Sequence, residues 1–213
     1  MKKIFTYDKY KLTLYDVCST IIYNDEKIKN RLLNILPLED YIFINSDVIP
    51  FNISVKKYLE LNGFKMNLIP YFNLQTITNK IISSLDLSSI IYIKVLSALS
   101  SNEGIVIFDN VFTYLSDEQK QIIKKYLSEN HIIYINITSD IEDVFMTKNL
   151  MVLTESGVAI EGKTEDVLSE EKLLKRLGFN LPFIFDLSLK LKSYDLVKKT
   201  YTDVDGLVSA LWK

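Results

Sequence analysis

Glycine, cysteine and histidine are scarce in this sequence of 213 residues, and each shortage excludes a kind of site. The chain has six glycines, and none of them precedes Gly63. A loop that wraps a phosphate in exposed backbone amides needs glycines, so the early part of the chain offers no such loop. The single cysteine, Cys18, excludes an internal disulfide framework and a cysteine-based zinc site. The single histidine, His131, leaves little for histidine-dependent catalysis.

Long apolar runs and a strong charge of one sign are also absent. The net charge of −2 gives no electrostatic footprint for nucleic acid. No apolar stretch approaches the ~20 residues that span a bilayer, and the first charges are not followed by the apolar segment of a signal peptide. We therefore expect a cytoplasmic protein without direct membrane insertion, which reaches the inner face of a membrane only through a partner. An apolar content of 48% is sufficient for one α/β domain, with room for a small appendage.

What is present is organised around the stretch Gly104–Leu115, GIVIFDNVFTYL. Its short β-branched run, Ile105–Phe108, is typical of a strand buried on both faces, and the run ends in the carboxylate of Asp109. An acid just past the carboxyl end of such a strand lies where open α/β sheets bind ligands. The alternative is that Asp109 only ends the strand and caps nearby backbone.

Hydrophobic periodicity and turn residues predict the remaining elements. The predicted strands are three antiparallel ones near the amino end, three buried ones and a hairpin: Lys3–Tyr7, Lys11–Tyr15 and Cys18–Tyr23; Tyr41–Ile44, Ile105–Phe108 and Ile132–Ile137; Leu150–Leu153 with Val158–Ile160. The predicted helices, two of them opened by capping boxes at Ser116 and Ser139, are Glu26–Leu36, Ser54–Leu61, Gln75–Leu85, Leu87–Ser100, Ser116–Ser128, Ser139–Met146, Thr164–Leu168, Ser169–Leu177, Pro182–Lys192 and Asp203–Trp212. This alternation predicts an α/β fold with a mostly parallel sheet, flanking helices, N-terminal antiparallel strands and a helical tail.

The order of these pieces resembles a known family. VIFD, a capped helix, IIYINITSDIEDVF and the hairpin segment NLMVLTESGVAIEG are similar to an ABC transporter ATPase from its second acidic strand onward. The tail, LLKRLGFNLPFIFDLSLKL followed by YTDVDGLVSALW, is similar to the carboxyl-terminal helical extension of ATPases in energy-coupling-factor (cobalt- and vitamin-type) transporters. The resemblance covers about residues 104–212.

The resemblance implies a P-loop NTPase-like domain over residues 1–163, with a shortened helical subdomain at about 54–100, and a C-terminal helical extension over 164–213. ATPases of this family bind ATP and Mg²⁺ and work as two facing subunits on a transmembrane coupling protein. The expected partners are therefore an ABC-type ATPase subunit, as homodimer or heterodimer, and a coupling protein. The family uses the extension for subunit contact, and here its last helix carries an apolar stripe: Val204, Leu207, Val208, Leu211 and Trp212.

The residues that would bind phosphate depart from the family pattern. A P-loop reads Gly-x-x-x-x-Gly-Lys-Ser/Thr, whereas the matching helix here reads KIKNRLLNIL. Lys29 could occupy the lysine position, but the neighbouring glycine and hydroxyl residues are replaced by Ile28, Asn30 and Arg31. The connection Tyr23–Glu26 is also too short to wrap a triphosphate. We therefore interpret Lys29 as part of a solvated helix face.

The other functional positions of the family's nucleotide site also carry different residues here. The replacements are Ile44 and Asn45 for the glutamine that meets metal and water, Leu85–Ser89 for the glycine-bearing signature, Asn110 for the general-base glutamate, Ser116 for the D-loop aspartate and Ser139 for the switch histidine. Phosphoryl transfer depends on positioning and electrostatics, so losing these groups together leaves nothing to lower its barrier. Without a phosphate cradle, Asp109 alone would bind Mg²⁺ weakly. We expect no catalytic residue, no metal site and no cofactor, with Lys29 and Asp109 as vestigial candidates for nucleotide contact.

These observations favour a catalytically degenerate ABC-ATPase-like subunit, a structural or regulatory component of a membrane transporter complex. One alternative is an active subunit that binds ATP and Mg²⁺ at an unrecognised phosphate site, which requires a glycine-rich strand-to-helix turn ahead of Gly63; the sequence has none. Another alternative is a stand-alone protein-binding module on the same scaffold. Its contact surface would be the aromatic and asparagine-bearing segments Phe51–Ile53 and Phe64–Phe72.

Overall fold

A computed structural model describes residues 2–48, 51–100 and 104–212 of the chain; Ile49 and Pro50 of the predicted loop after the fourth strand lie outside these ranges. The strands are β1 (Lys3–Tyr7), β2 (Leu12–Tyr15), β3 (Ser19–Ile22), β4 (Ile42–Asn45), β5 (Val106–Asp109), β6 (Tyr134–Thr138), β7 (Asn149–Thr154) and β8 (Gly157–Lys163). Across the described residues, six strands form one sheet in the order β4-β5-β6-β3-β7-β8, and β1 and β2 form a separate antiparallel pair. Every neighbouring pair in the large sheet is parallel except β7 and β8, which confirms the predicted α/β architecture.

The helices follow the sequence prediction in most places. They are α1 (Glu26–Ile35), α2 (Val55–Leu61), α3 (Leu87–Leu99), α4 (Asp117–Glu129), α5 (Thr164–Ser169), α6 (Glu171–Arg176), α7 (Phe183–Ser193) and α8 (Val204–Leu211), with a 3₁₀ helix at Ile141–Met146. No helix within the described ranges has the length and apolar character needed to cross a membrane. The division of the chain at residue 163 into a domain and an extension stays a prediction.

The start of the 3₁₀ helix differs from the predicted capping box at Ser139. The cap is Asp140, whose carboxylate accepts a hydrogen bond from the N–H of Glu142 at 3.0 Å. Ser139 is still part of the preceding loop, because its own N–H donates to the side chain of Asn110 at 3.1 Å. By contrast, the capping box at Ser116 is confirmed, with both of its reciprocal hydrogen bonds present.

Strand β3 corrects a second prediction. The sequence predicts Cys18–Tyr23 as an antiparallel strand at the amino end, but β3 runs parallel between β6 and β7, in the middle of the sheet. Thr20 makes the run look half-polar, yet it is fully buried, and its hydroxyl forms a 2.9 Å hydrogen bond with the hydroxyl of Thr147. Because this bond satisfies the hydroxyl, a threonine is tolerated in a strand that is covered on both faces.

Each face of the large sheet is covered by different elements. One face packs against α1 and the β1–β2 pair through an apolar cluster that includes Leu12, Leu14, Ile21, Ile28, Leu32, Ile107, Ile135 and Ile137. The opposite face packs against α3, α4 and the segment before α3, in a cluster that includes Val95, Leu96, Phe108, Phe112, Ile123, Leu127 and Tyr134. Farther along, the tail covers β3 and β7 through Val167, Leu168, Leu174, Phe179, Leu181 and Phe185. The strand ends are therefore held between two packed layers.

The region between β4 and α3 joins the second of these clusters. Phe64 and Phe72 are 5% and 1% exposed and lie in the same apolar cluster as Phe108, so they cannot supply the contact surface considered for Phe64–Phe72. Phe51, in the other segment considered, is 43% exposed. The aromatic residues of this region serve mainly to attach it to the sheet and α4.

The predicted helix Gln75–Leu85 is wrong. The segment forms turns and ends in a 3₁₀ turn at Ile82–Ser84. Its backbone bonds to the chain leading into α2 instead: the N–H of Ile82 donates to the carbonyl of Ile53 at 3.0 Å, and Ile81 forms a bridge with Ser54. β-Branched residues are frequent in the segment, and they favour such extended pairing over a helix.

Candidate functional site

The carboxyl ends of three neighbouring strands, β5, β6 and β3, meet at one edge of the sheet. Strand β5 ends in Asp109, β6 is followed by Ser139, and β3 is followed by Tyr23. Ligands of open α/β sheets bind at this edge. Both vestigial candidates named from the sequence, Lys29 and Asp109, contact each other here, so this edge is the candidate functional site.

The connection from β3 to α1 consists of Tyr23, Asn24 and Asp25, and none of them is a glycine. The N–H of Tyr23 donates to the carbonyl of Thr138 at 3.3 Å. The side-chain amide of Asn24 donates to the carbonyl of Leu177 in the tail at 2.6 Å. The connection is therefore as short as the sequence predicts, and it is tied to the sheet and to the tail.

Asp25 accepts hydrogen bonds from several amides at the start of α1. Asp25 is the N-cap, and its carboxylate accepts a hydrogen bond from the N–H of Lys27 at 2.8 Å. Its backbone carbonyl accepts from the N–H of Ile28 at 2.9 Å. The N-terminus of a helix binds phosphate through such amides. In this chain the carboxylate of Asp25 takes the place where a phosphate oxygen would accept a bond.

Lys29 does not lie on a solvated helix face, which corrects the prediction from the sequence. Its side chain is 15% exposed, and its ammonium lies 2.7 Å from Glu26 Oε2 and 3.7 Å from Asp109 Oδ1. The ammonium also lies 5.9 Å from the centre of the Tyr23 ring, within the range of a cation–π contact. A lysine among two carboxylates and an aromatic ring is shielded from water because these partners replace it. A phosphate would therefore have to compete with these two carboxylates for the charge of Lys29.

Asp109 is buried, with only 7% of the residue exposed. Its Oδ1 accepts no hydrogen bond within the described part of the chain, and it faces Lys29 at 3.7 Å, so the predicted backbone cap does not hold this oxygen. Burial raises the pKa of Asp109, and the nearby Lys29 only partly opposes that rise. For Lys29, burial lowers the pKa, but the bond to Glu26 and the charge of Asp109 outweigh it and leave the pKa raised. Asp109 is therefore the member of the pair whose charged form is disfavoured by burial.

Asn110 links the three strand ends. Its backbone has a φ of +51°, a left-handed conformation that asparagine tolerates better than most residues. Its side-chain nitrogen donates to the hydroxyl of Tyr23, and its side-chain oxygen accepts from the N–H of Ser139. The Tyr23 hydroxyl in turn donates to Glu26 at 3.3 Å. The position of the family's general base thus carries an amide that connects β3, β5 and the loop after β6.

The residues at the other positions of the resembled site cap helices or contact them. Ser116 caps α4, as described above. In the segment matching the family signature, Asp86 caps α3 and accepts from the N–H of Ser89 at 2.9 Å. At the end of β4, Asn45 accepts hydrogen bonds from Lys94 of α3. These residues therefore have structural roles at the positions where the resembled ATPases carry groups that contact nucleotide, metal or water.

These residues do not fit a magnesium-bound triphosphate. The turn after β3 carries no glycine, and the amides of Tyr23, Lys27 and Ile28 already donate to other groups of the chain. The described ranges contain no group of three or more His, Cys, Asp or Glu side chains that could hold a metal ion. Asp109 faces an ammonium, which occupies the side on which a cation would approach. The arrangement holds the strand ends together, and the described residues at this edge have neither a glycine-rich turn nor a cluster of three metal-ligating side chains.

The sequence analysis does not name Tyr23 or Glu26 as candidate site residues, although both belong to this network. A signal for Glu26 exists, because it precedes Lys29 by three residues on α1 and such residues meet on one helix face. Tyr23 has no comparable signal, since its contact with Asn110 joins residues 87 positions apart. Only the order of strands in the sheet brings Tyr23 and Asn110 together.

Sequence comparison gives the same resemblance. No protein-family model matches the chain. The energy-coupling factor transporter ATP-binding protein EcfA1 of Lactobacillus delbrueckii subsp. bulgaricus is 28% identical over 120 residues, covering 54% of this chain and 43% of that protein. EcfA1 of Staphylococcus epidermidis is 23% identical over 175 residues, covering 74% of this chain and 64% of that protein. The matches span about half the length of these relatives, and the chain resembles ABC transporter ATP-binding proteins of energy-coupling-factor type.

Structural comparison shows the fold. CbiO1 of Clostridium perfringens, part of the ABC transporter complex CbiONQ, superimposes with a TM-score of 0.64 at 16% identity, over 85% of this chain and 93% of that one. An ATP-binding subunit of another ABC transporter gives a TM-score of 0.63 at 11% identity, over 79% of this chain and 92% of that one. The chain therefore has the fold of an ABC ATPase cassette.

The raised pKa of Asp109 makes stability depend on pH in a defined direction. The folded chain binds a proton at Asp109 more readily than the unfolded chain, so the wild type loses stability as pH rises from the ordinary carboxyl range through the raised pKa. Asp109→Asn lacks this loss. We expect its free energy of unfolding, relative to wild type, to increase over the same rise in pH, measured by denaturant unfolding between about pH 4 and about pH 8.

The exposed carboxylate variant Asp166→Asn, measured in the same series, sets the background for removing a surface charge. A relative stability of Asp109→Asn that stays constant or falls as pH rises would contradict the direction of the shift.

Proposed function

We propose that this chain is a catalytically degenerate ABC-ATPase-like subunit, a structural or regulatory component of a membrane transporter complex that binds little or no ATP. The observation that carries the proposal is the state of Lys29, whose ammonium is paired with Glu26 and Asp109. A phosphate would have to compete with both carboxylates for this ammonium, and with Asp25 for the amides of Lys27 and Ile28.

The replacement of the general base supports the same conclusion. Asn110 cannot accept a proton from an attacking water, and both ends of its side chain are engaged, with Tyr23 and with Ser139. A nucleotide that did bind would therefore meet no group able to activate water. We propose a cytoplasmic location, at the inner face of the membrane, through the partners of the complex.

The relatives suggest the class of partner. They are ATP-binding proteins of energy-coupling factor transporters, and the structural neighbour CbiO1 is part of a transporter complex. We propose that this chain pairs with an ABC-type ATPase subunit and docks on a transmembrane coupling protein. The end of the tail supports a contact there: α8 presents an apolar stripe in which Val204, Val208 and Leu211 are 44–55% exposed and the adjoining Trp212 is 85% exposed.

Nucleotide binding tests the proposal. The purified chain is titrated with a fluorescent ATP analogue in the presence of Mg²⁺. We expect no saturation below about millimolar concentration, which corresponds to a binding free energy weaker than about 4 kcal/mol in magnitude. A dissociation constant near micromolar that is lost in Lys29→Ala would overturn the proposal and favour an active subunit.

Partner capture tests the second part of the proposal. Val208→Asp places a charge in the α8 stripe, whereas Ser209→Asp places the same charge on an exposed neighbour outside it. We expect the wild type and Ser209→Asp to recover a second ATPase and a multi-spanning membrane protein from the source cell, and Val208→Asp to recover at least about tenfold less of the ATPase. Recovery of neither protein by the wild type would favour a stand-alone binding module.

A further inference from the structure

Lys94 is the one charged residue of α3, a helix whose sequence, LSSIIYIKVLSAL, is otherwise apolar or uncharged. Its neighbours Ile93 and Val95 are 1% and 0% exposed, so the helix is packed on several sides around it. An ammonium in such a helix loses water when the helix docks, and each of its three N–H groups then needs an acceptor.

Three oxygens at the end of β4 supply these acceptors. The ammonium of Lys94 donates to the backbone carbonyl of Asn45 at 2.9 Å, to the side-chain oxygen of Asn45, and to the backbone carbonyl of Asp47 at 3.2 Å. The Asn45 side chain is fixed at its other end, because its nitrogen donates to the carboxylate of Asp47. The loop therefore folds around the ammonium.

This contact lies beside the candidate functional site. Asn45 is the residue opposite Asp109 in the parallel pairing of β4 and β5, so the two side chains leave neighbouring strand ends. Asn45 also stands where the resembled ATPases carry a glutamine that meets metal and water. Burial lowers the pKa of Lys94, and the negative charge of Asp47 opposes that change.

We propose that Lys94 acts as an internal cation that fixes the loop after β4 and holds α3 to the sheet, so that this joint needs neither a metal ion nor a nucleotide. Two ammonium groups then flank the ends of β4 and β5. Lys94 binds the oxygens of Asn45 from α3, and Lys29 meets Asp109 from α1. Lys94 is a positioning residue, because it acts on the loop and on α3 rather than on a ligand.

The joint connects parts of the chain that are far apart in sequence. Lys94 and Asn45 are separated by 49 positions, and the described residues between them include α2 and turns that bond to α4 through Tyr71 and Asn73. In a protein whose loop depends on a bound metal ion, this region would move as the ion comes and goes. With the ammonium supplied by α3, the region keeps one orientation on the sheet.

Backbone ¹⁵N relaxation of Ser46, Asp47 and Val48 tests the proposal. We expect order parameters of about 0.85 in the wild type and below about 0.6 in Lys94→Met. This substitution keeps most of the apolar stem and removes the charge. Lys57→Met, an exposed lysine of the neighbouring α2, is the matched control and should leave the loop unchanged. The order parameters of β5 report whether each variant is folded.

Chemical rescue separates a cation site from simple packing. In Lys94→Ala, added ethylammonium should restore the order parameters of the loop, while an uncharged alcohol of the same length should not. In the wild type, Mg²⁺ and EDTA should leave these values unchanged. The proposal is overturned if Lys94→Met leaves the loop rigid, if the alcohol rescues as well as the ammonium, or if Mg²⁺ changes the wild-type loop. None of these measurements uses a nucleotide, so their outcome is independent of whether the chain binds ATP.

Discussion

The ion pairing of Lys29 is the interaction on which the rest of the site depends. An ABC-type phosphate site works because a lysine and a ring of free amides wait for a polyanion. Here Glu26 and Asp109 contact the ammonium, and Asp25 accepts from the amides of Lys27 and Ile28. We propose that these carboxylates take the place of an external anion, so that the strand ends stay together without a ligand.

The same substitution of internal for external charge occurs twice at one sheet edge. Glu26 and Asp109 provide anions for α1, while Lys94 provides a cation for the loop after β4. Removing one partner of such a pair is strongly unfavourable, since it leaves a buried charge unpaired. This cost explains why the site has so many connected members: Asn110 bonds Tyr23 and Ser139, and Tyr23 bonds Glu26. These connections agree with the proposed role as a structural subunit that does not cycle with nucleotide.

The sequence predicts the parallel sheet, most helices and the short turn after β3, because these follow from local patterns of apolar and turn residues. It fails at β3, where Thr20 suggests a half-exposed strand until its bond to Thr147 is known. It fails again at Lys29, since a lysine on an amphipathic helix is usually solvated. In both cases a partner that accounts for the burial, Thr147 for Thr20 and Asp109 for Lys29, lies far away in sequence, beyond what periodicity can report. The nearer partner of Lys29, Glu26, lies within one helical turn.

The most direct test is an NMR titration of the ¹⁵N-labelled chain with ATP and Mg²⁺, observing the amides of Tyr23–Lys29. If internal carboxylates hold Lys29 and the start of α1, these resonances should not shift in a saturable way below about millimolar nucleotide. Saturable shifts at micromolar concentration, localised to this turn and dependent on Mg²⁺, would contradict the account, because they would place a triphosphate where Glu26, Asp109 and Asp25 now bind.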